Sequence, residues 1–83
     1  MTYEIVFEPH ALDSAARFLK EDASGLALVL DTVDKLAEDP RPAGSVPYGS
    51  ADIRRLRIGD YRVLYVIDDH VIRILVTHLG RTP

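Results

Sequence analysis

An 83-residue chain suffices for one domain and no more. It has no cysteine, so disulfides and thiolate metal sites are excluded, and its net charge of −3 argues against loose, charge-driven binding to nucleic acid. The acid is unevenly spread. Three basic and nine acidic residues give residues 1–40 a net charge of −6, whereas seven arginines and four aspartates give residues 41–83 a net charge of +3. Any contact with an anionic partner is therefore expected to be local to the second half. Arginine, with its planar fork of donors, suits bidentate contacts to phosphate or carboxylate.

The opening MTYEIVFEPH has neither a basic n-region nor a long apolar run, so no signal peptide and no membrane span are expected, and a cytoplasmic protein is the default. Residues 2–7 alternate weakly and are β-rich, which predicts a strand with Tyr3, Ile5 and Phe7 on one face. Pro9 suits a helix start. Residues 10–21 read as a helix with Leu12, Ala15, Ala16 and Leu19 as its stripe and Phe18 beside them. Ser24 is a reasonable N-cap for a second helix over 25–38, whose stripe is Leu26, Val29, Leu30, Val33, Leu36 and Ala37. The short connection predicts an antiparallel helical hairpin, and the Asp-Pro-Arg-Pro run at 39–42 ends it. Residues 43–51, rich in Gly, Ser and Pro, read as a loop.

Residues 52–77 read as a three-stranded antiparallel meander. Gly59-Asp60 is a two-residue hairpin signal, because Gly supplies the positive φ of a type II′ turn. That turn sets Ile58 against Tyr61, Arg57 against Arg62, Leu56 against Val63 and Arg55 against Leu64, and opposed residues share a face. A second turn is expected within 68–70. One face then holds Leu56, Ile58, Val63, Tyr65, Ile67, Ile72, Ile74 and Val76. The other interleaves Arg55, Arg57, Arg62 and Arg73 with Leu64, Val66, Val71 and Leu75. Strict alternation carried past Val76 puts His78 on the apolar face and returns Arg81 to the basic one. The helical hairpin must cover the apolar face and the first strand must join the sheet. The expected fold is a two-layer α+β domain of order β-α-α-β-β-β, its helical hairpin packed on an antiparallel-rich four-stranded sheet.

The order of elements, the phrase LAEDPRP closing the second helix, the run RRLRIGDYRVLYVID and the late VTHLGR resemble the RelE/ParE superfamily of bacterial toxins from type II toxin–antitoxin pairs. The resemblance covers essentially the whole chain and is most specific over 54–68. It implies a compact toxin bound by a cognate antitoxin in a toxin–antitoxin hetero-oligomer. It implies one of two activities: RelE-like members are ribosome-dependent mRNA endonucleases, and ParE-like members inhibit DNA gyrase without nuclease chemistry. A degenerate member that only binds its antitoxin is a third alternative. Arg55 matches a basic residue that RelE-type toxins use near the scissile phosphate, Arg62 their phosphate-binding arginine, and His78 their basic or His position after the last strand. The chain departs at Leu79, where many such toxins have Arg, at Ile53, where a second basic residue is common, and in lacking a late Tyr.

RNA cleavage by 2′-OH attack needs a proton carrier and stabilisation of charge on the phosphate. Arginine is permanently charged and serves only the second need. The expected catalytic set is Arg55, Arg62, His78 and Arg81, with Arg57 and Arg73 binding substrate. Arg81 stands in for the arginine that Leu79 replaces. The expected antitoxin contact is an acidic, amphipathic segment across Leu64, Val66, Val71 and Leu75. Ribosome and mRNA, or alternatively DNA gyrase, are the expected targets. No cofactor is implied, and the histidines and carboxylates lack metal-ligand spacing. His10 and His70 read as surface residues, Tyr61 and Tyr65 as packing, and Tyr48 as free to stack on a base.

Overall fold

The computed structural model describes residues 2–82. Its elements are β1 (Glu4–Phe7), α1 (Pro9–Glu21), α2 (Ala23–Lys35), β2 (Ser45–Pro47), β3 (Ile53–Ile58), β4 (Tyr61–Asp68) and β5 (Arg73–Arg81). They form one mixed sheet in the order β1-β5-β4-β3-β2, with β1 parallel to β5 and every other pair antiparallel. The two helices cover one face of it, and the core lies between the layers. The sheet has five strands where the sequence predicts four. The added strand, β2, comes from the Gly/Ser/Pro stretch read as a loop. It pairs along the free edge of β3, where a proline is tolerated because one side of the strand needs no hydrogen-bond donor. Arg54 binds it there, its Nε donating to Ser45 Oγ at 2.8 Å and its NH2 to the Ser45 carbonyl at 3.1 Å.

Pro9 opens α1, with Glu8 as N-cap. The buried side is Ala11, Ser14, Ala15 and Phe18: Ala15 and Phe18 are inside as expected, whereas Leu12, Ala16 and Leu19 are exposed. Leu12 and Leu19 are 57% and 46% exposed. Apolar residues lie on both sides of this helix, so periodicity allows either orientation. The observed one puts Ala11 and Ala15 inward and seats Phe18 edge-on against Tyr61, ring centroids 5.4 Å apart.

The cap of α2 is Asp22, not Ser24: its Oδ1 accepts from the Gly25 N–H at 3.1 Å. The helix therefore begins two residues earlier than expected, and a single residue joins the pair. Gly25 makes room for this cap, because a Cβ there would lie 2.1 Å from Asp22 Oδ2. Tyr61 Oη donates to the same Oδ2 at 2.9 Å and so ties the helix junction to β4. On α2, Leu26, Val29, Val33 and the following Leu36 are buried as expected.

The β3–β4 register is the one Gly59-Asp60 predicts, and Gly59 has φ 57°. The second turn is longer than expected: Asp68 pairs with Arg73, and 69–72 form the connection. Asp68 Oδ1 accepts from the His70 and Val71 N–H groups at 2.9 and 3.2 Å. Ile72 therefore lies in the turn, at φ 55°, and not on the strand's apolar face.

The β4–β5 ladder carries an irregularity that changes which residues of β5 face the helices. Tyr65 faces Val76, but Leu64 faces His78, so β5 has one extra residue, Thr77. Such a bulge reverses the alternation of everything beyond it. Leu79 turns into the core at 1% exposure, opposite Val63. His78 and Arg81 exchange the faces that strict alternation gives them.

Candidate functional site: the open face of the sheet

The face away from the helices can be read row by row, because directly opposed residues share it. The first row is Glu4, Arg73 and Asp68, the second Val6, Leu75, Val66 and Ile53. The third is His78, Leu64, Arg55 and Val46, and the fourth Gly80, Arg62 and Arg57. Passing down the strands, the face thus changes from a charged margin to an aliphatic band and then to a basic field containing one imidazole.

Two adjoining depressions lie in the basic field. One, of about 240 Å³, is lined by Gly44, Val46, Arg55, Arg57 and Arg62. The other, of about 200 Å³, is lined by Tyr48, Arg55, Arg62, Leu64 and His78. Arg55 and Arg62 are common to both. The β3–β4 hairpin supplies the arginines, the segment entering and leaving β2 supplies Gly44, Val46 and Tyr48, and the β5 bulge supplies His78. Arg55, Arg57 and Arg62 are exposed. A phosphate over Arg55 and Arg62 would have cations on two adjacent strands and an imidazole beside them.

Not every expected site residue joins this group. Arg73 is at the opposite end of the face, where its Nε donates to Glu4 Oε1 at 2.9 Å. Arg81 is on the helix side. Its guanidinium lies 4.9 Å from the Phe18 ring centroid and donates to Glu21 Oε1 at 2.6 Å. The expectation that Arg81 returns to the basic face fails because the bulge shifts the alternation. That location suits a latch holding the end of β5 to the helix junction. Leu64, Val66 and Leu75 are half-buried on the open face, whereas Val71 is in the β4–β5 turn at 54% exposure.

The sequence reading missed two contributors. Val46 enters through β2, which had no strand signal, and Gly44 comes with it. No local pattern marks them, since β2 is brought in by pairing with a distant segment. His10 is a surface residue as expected, and its ring lies 6.0 Å from that of His78, with 24° between the planes.

Among the described residues there is no group of three or more His, Cys, Asp or Glu placed to hold a metal ion, and no helix long and apolar enough to cross a membrane. Two helices on one face of a five-stranded mixed sheet make up a fold shared with solved RelE-type toxin chains, and in this chain the opposite face carries the basic field. The RelE–RelB complex of Pyrococcus horikoshii has a chain similar to this one at TM-score 0.82 and 23% identity, over 98% of this chain and 96% of that one. The isolated Escherichia coli RelE toxin is similar at TM-score 0.83 and 19% identity, over 98% and 85%. The YoeB/ParE toxin of Agrobacterium tumefaciens is similar at 0.82 and 18%, over 96% and 99%. A sequence search of curated proteins found no match. Residues 5–82 match the family model of the ParE toxin of type II toxin–antitoxin systems, and the chain belongs to that family, within the RelE/ParE superfamily.

Proposed function

We propose that this toxin is an mRNA endonuclease of the RelE kind, acting on ribosome-bound message. The observation that carries the reading is the β5 bulge, which puts His78 in one depression with Arg55 and Arg62. In the proposed reaction a ribose 2′-oxygen attacks the adjacent phosphorus, the phosphorus–5′-oxygen bond breaks, and a 2′,3′-cyclic phosphate is left. Arg55 and Arg62 offset the negative charge that accumulates on the phosphoryl oxygens. His78 is the proton carrier, taking the proton of the 2′-hydroxyl and returning it to the departing 5′-oxygen, an exchange that the permanently charged guanidinium groups cannot make. Arg57, in the neighbouring depression, binds the flanking phosphate. Arg73 and Arg81 stand outside this set, on the geometry above.

The partner proposed for the toxin is a cognate antitoxin, as in the RelE–RelB complexes whose toxin chains this one resembles. Its amphipathic segment would lie on Leu64, Val66 and Leu75 and extend over Val6 and Ile53, with acidic residues meeting the arginines. Val71, in the turn beyond the band, is a peripheral contact.

Primer extension on mRNA in programmed ribosomes tests the activity. Cuts in the A-site codon are expected with the wild type and none with Arg62→Ala, which should still bind antitoxin. An uncut message at saturating toxin would sink the reading. The family model matched is that of ParE toxins, which favours gyrase inhibition as the second reading. Loss of supercoiling by purified gyrase in the presence of the toxin would support it.

A further inference from the structure

We infer that His10 is a positioning residue for His78, so that the start of α1 belongs to the reactive face. The inference rests on the endonuclease reading. Strand β1 pairs with β5 only as far as Phe7 and Val76, and the Glu8 N–H then donates to the Val76 carbonyl at 2.9 Å. The chain turns there into α1, so the first turn of that helix stands beside the part of β5 that follows the bulge. His10 is exposed, yet its ring is stacked on that of His78, centroids 6.0 Å apart. This separation lies within the range where aromatic faces attract.

The other flank of the imidazole is set by Gly80. A Cβ at that position would come within 2.9 Å of His78 Nε2, closer than side chains tolerate. Glycine at 80 therefore leaves room for the ring to lie along β5 towards the row of Arg62, and His10 limits its swing in the other direction. An exposed histidine on a strand otherwise has several staggered rotamers open to it. A proton carrier must be held close to its productive position, and a displacement of 1 Å can cost about 100-fold in rate. His10 lines neither depression, so its part is to hold the ring.

The test compares wild type, His10→Ala and His10→Phe in single-turnover cleavage on programmed ribosomes, with the ring-proton resonances of His78 recorded by NMR. His10→Ala should slow cleavage at saturating toxin by about 10- to 100-fold. It should leave the half-saturating concentration and the melting temperature unchanged, and shift the His78 resonances. His10→Phe, which keeps a ring to stack, should restore most of the rate. A His10→Ala protein that cuts at the wild-type rate would overturn the role of His10 while the endonuclease reading stands. A His10→Phe protein as slow as His10→Ala would overturn positioning, since the imidazole itself would then be required. A wild type that leaves the message whole would overturn both.

Discussion

Arg57 and Arg62 face one another directly across the β3–β4 hairpin, and both are exposed. Like charges so placed cost a few tenths of a kcal/mol to about 1 kcal/mol, and nothing in the packing requires them. Arg57→Thr should therefore raise the melting temperature by a few degrees, at about 4–8 °C per kcal/mol for a domain of this size, while weakening RNA binding. An unchanged or lower melting temperature would show that the pair carries no strain. A second residue-scale case is Asp69. The hydrogen bond from Tyr3 Oη at 2.5 Å, with Arg41 NH2 at 3.3 Å, holds its carboxyl below the ordinary value of 3.8. A depressed folded-state value stabilises the fold above the unfolded value and loses that contribution as pH falls through the folded one. Acid unfolding monitored by circular dichroism should accordingly show wild type and Asp69→Asn converging below about pH 4, with the wild type more stable above it. Parallel curves across that range would remove Asp69 from the acid response.

The helix junction is the element on which the layers depend. Asp22 caps α2 and accepts from Tyr61 Oη, and Tyr61 packs on Phe18. Asp22→Ala removes the cap and leaves the Tyr61 hydroxyl without its partner. It should cost about 1–2 kcal/mol in chemical denaturation. A loss below about 0.5 kcal/mol would mean that water replaces both bonds without penalty. The choice of buried face in α1 belongs to this scale as well. Leu12, Ala16 and Leu19 form as good a stripe as Ala11, Ala15 and Phe18 on spacing alone. What decides between them is the one-residue link at Asp22, which fixes how α1 rolls against α2 and β5.

At the scale of the molecule, charge is divided between the two halves of the chain. The segment holding β1 and both helices carries the acid excess, and the segment holding β2–β5 carries the basic one. A basic field on one face of a net-acidic chain confines attraction for phosphate to that face and weakens binding elsewhere. If Arg55, Arg57 and Arg62 each meet a phosphate, as the proposed function requires, log K for single-stranded RNA falls with log salt at a slope of about −2. Fluorescence anisotropy with labelled RNA would measure it. A slope near zero would place the arginines outside the RNA contact.

The sequence by itself determined the order of elements, the two-layer arrangement, the β3–β4 register and the shared face of Arg55, Arg57 and Arg62. These follow from short-range physics: a glycine that accepts positive φ, strict alternation along a strand, and prolines that end a helix. Only the tertiary structure decided the fifth strand, the roll of α1, and the faces taken by His78, Leu79 and Arg81. Each depends on a segment distant in the chain. The edge of β3 recruits β2. The one-residue link at Asp22 orients α1. One extra residue in β5, invisible to any local pattern, sends Leu79 into the core and so delivers His78 to the arginines.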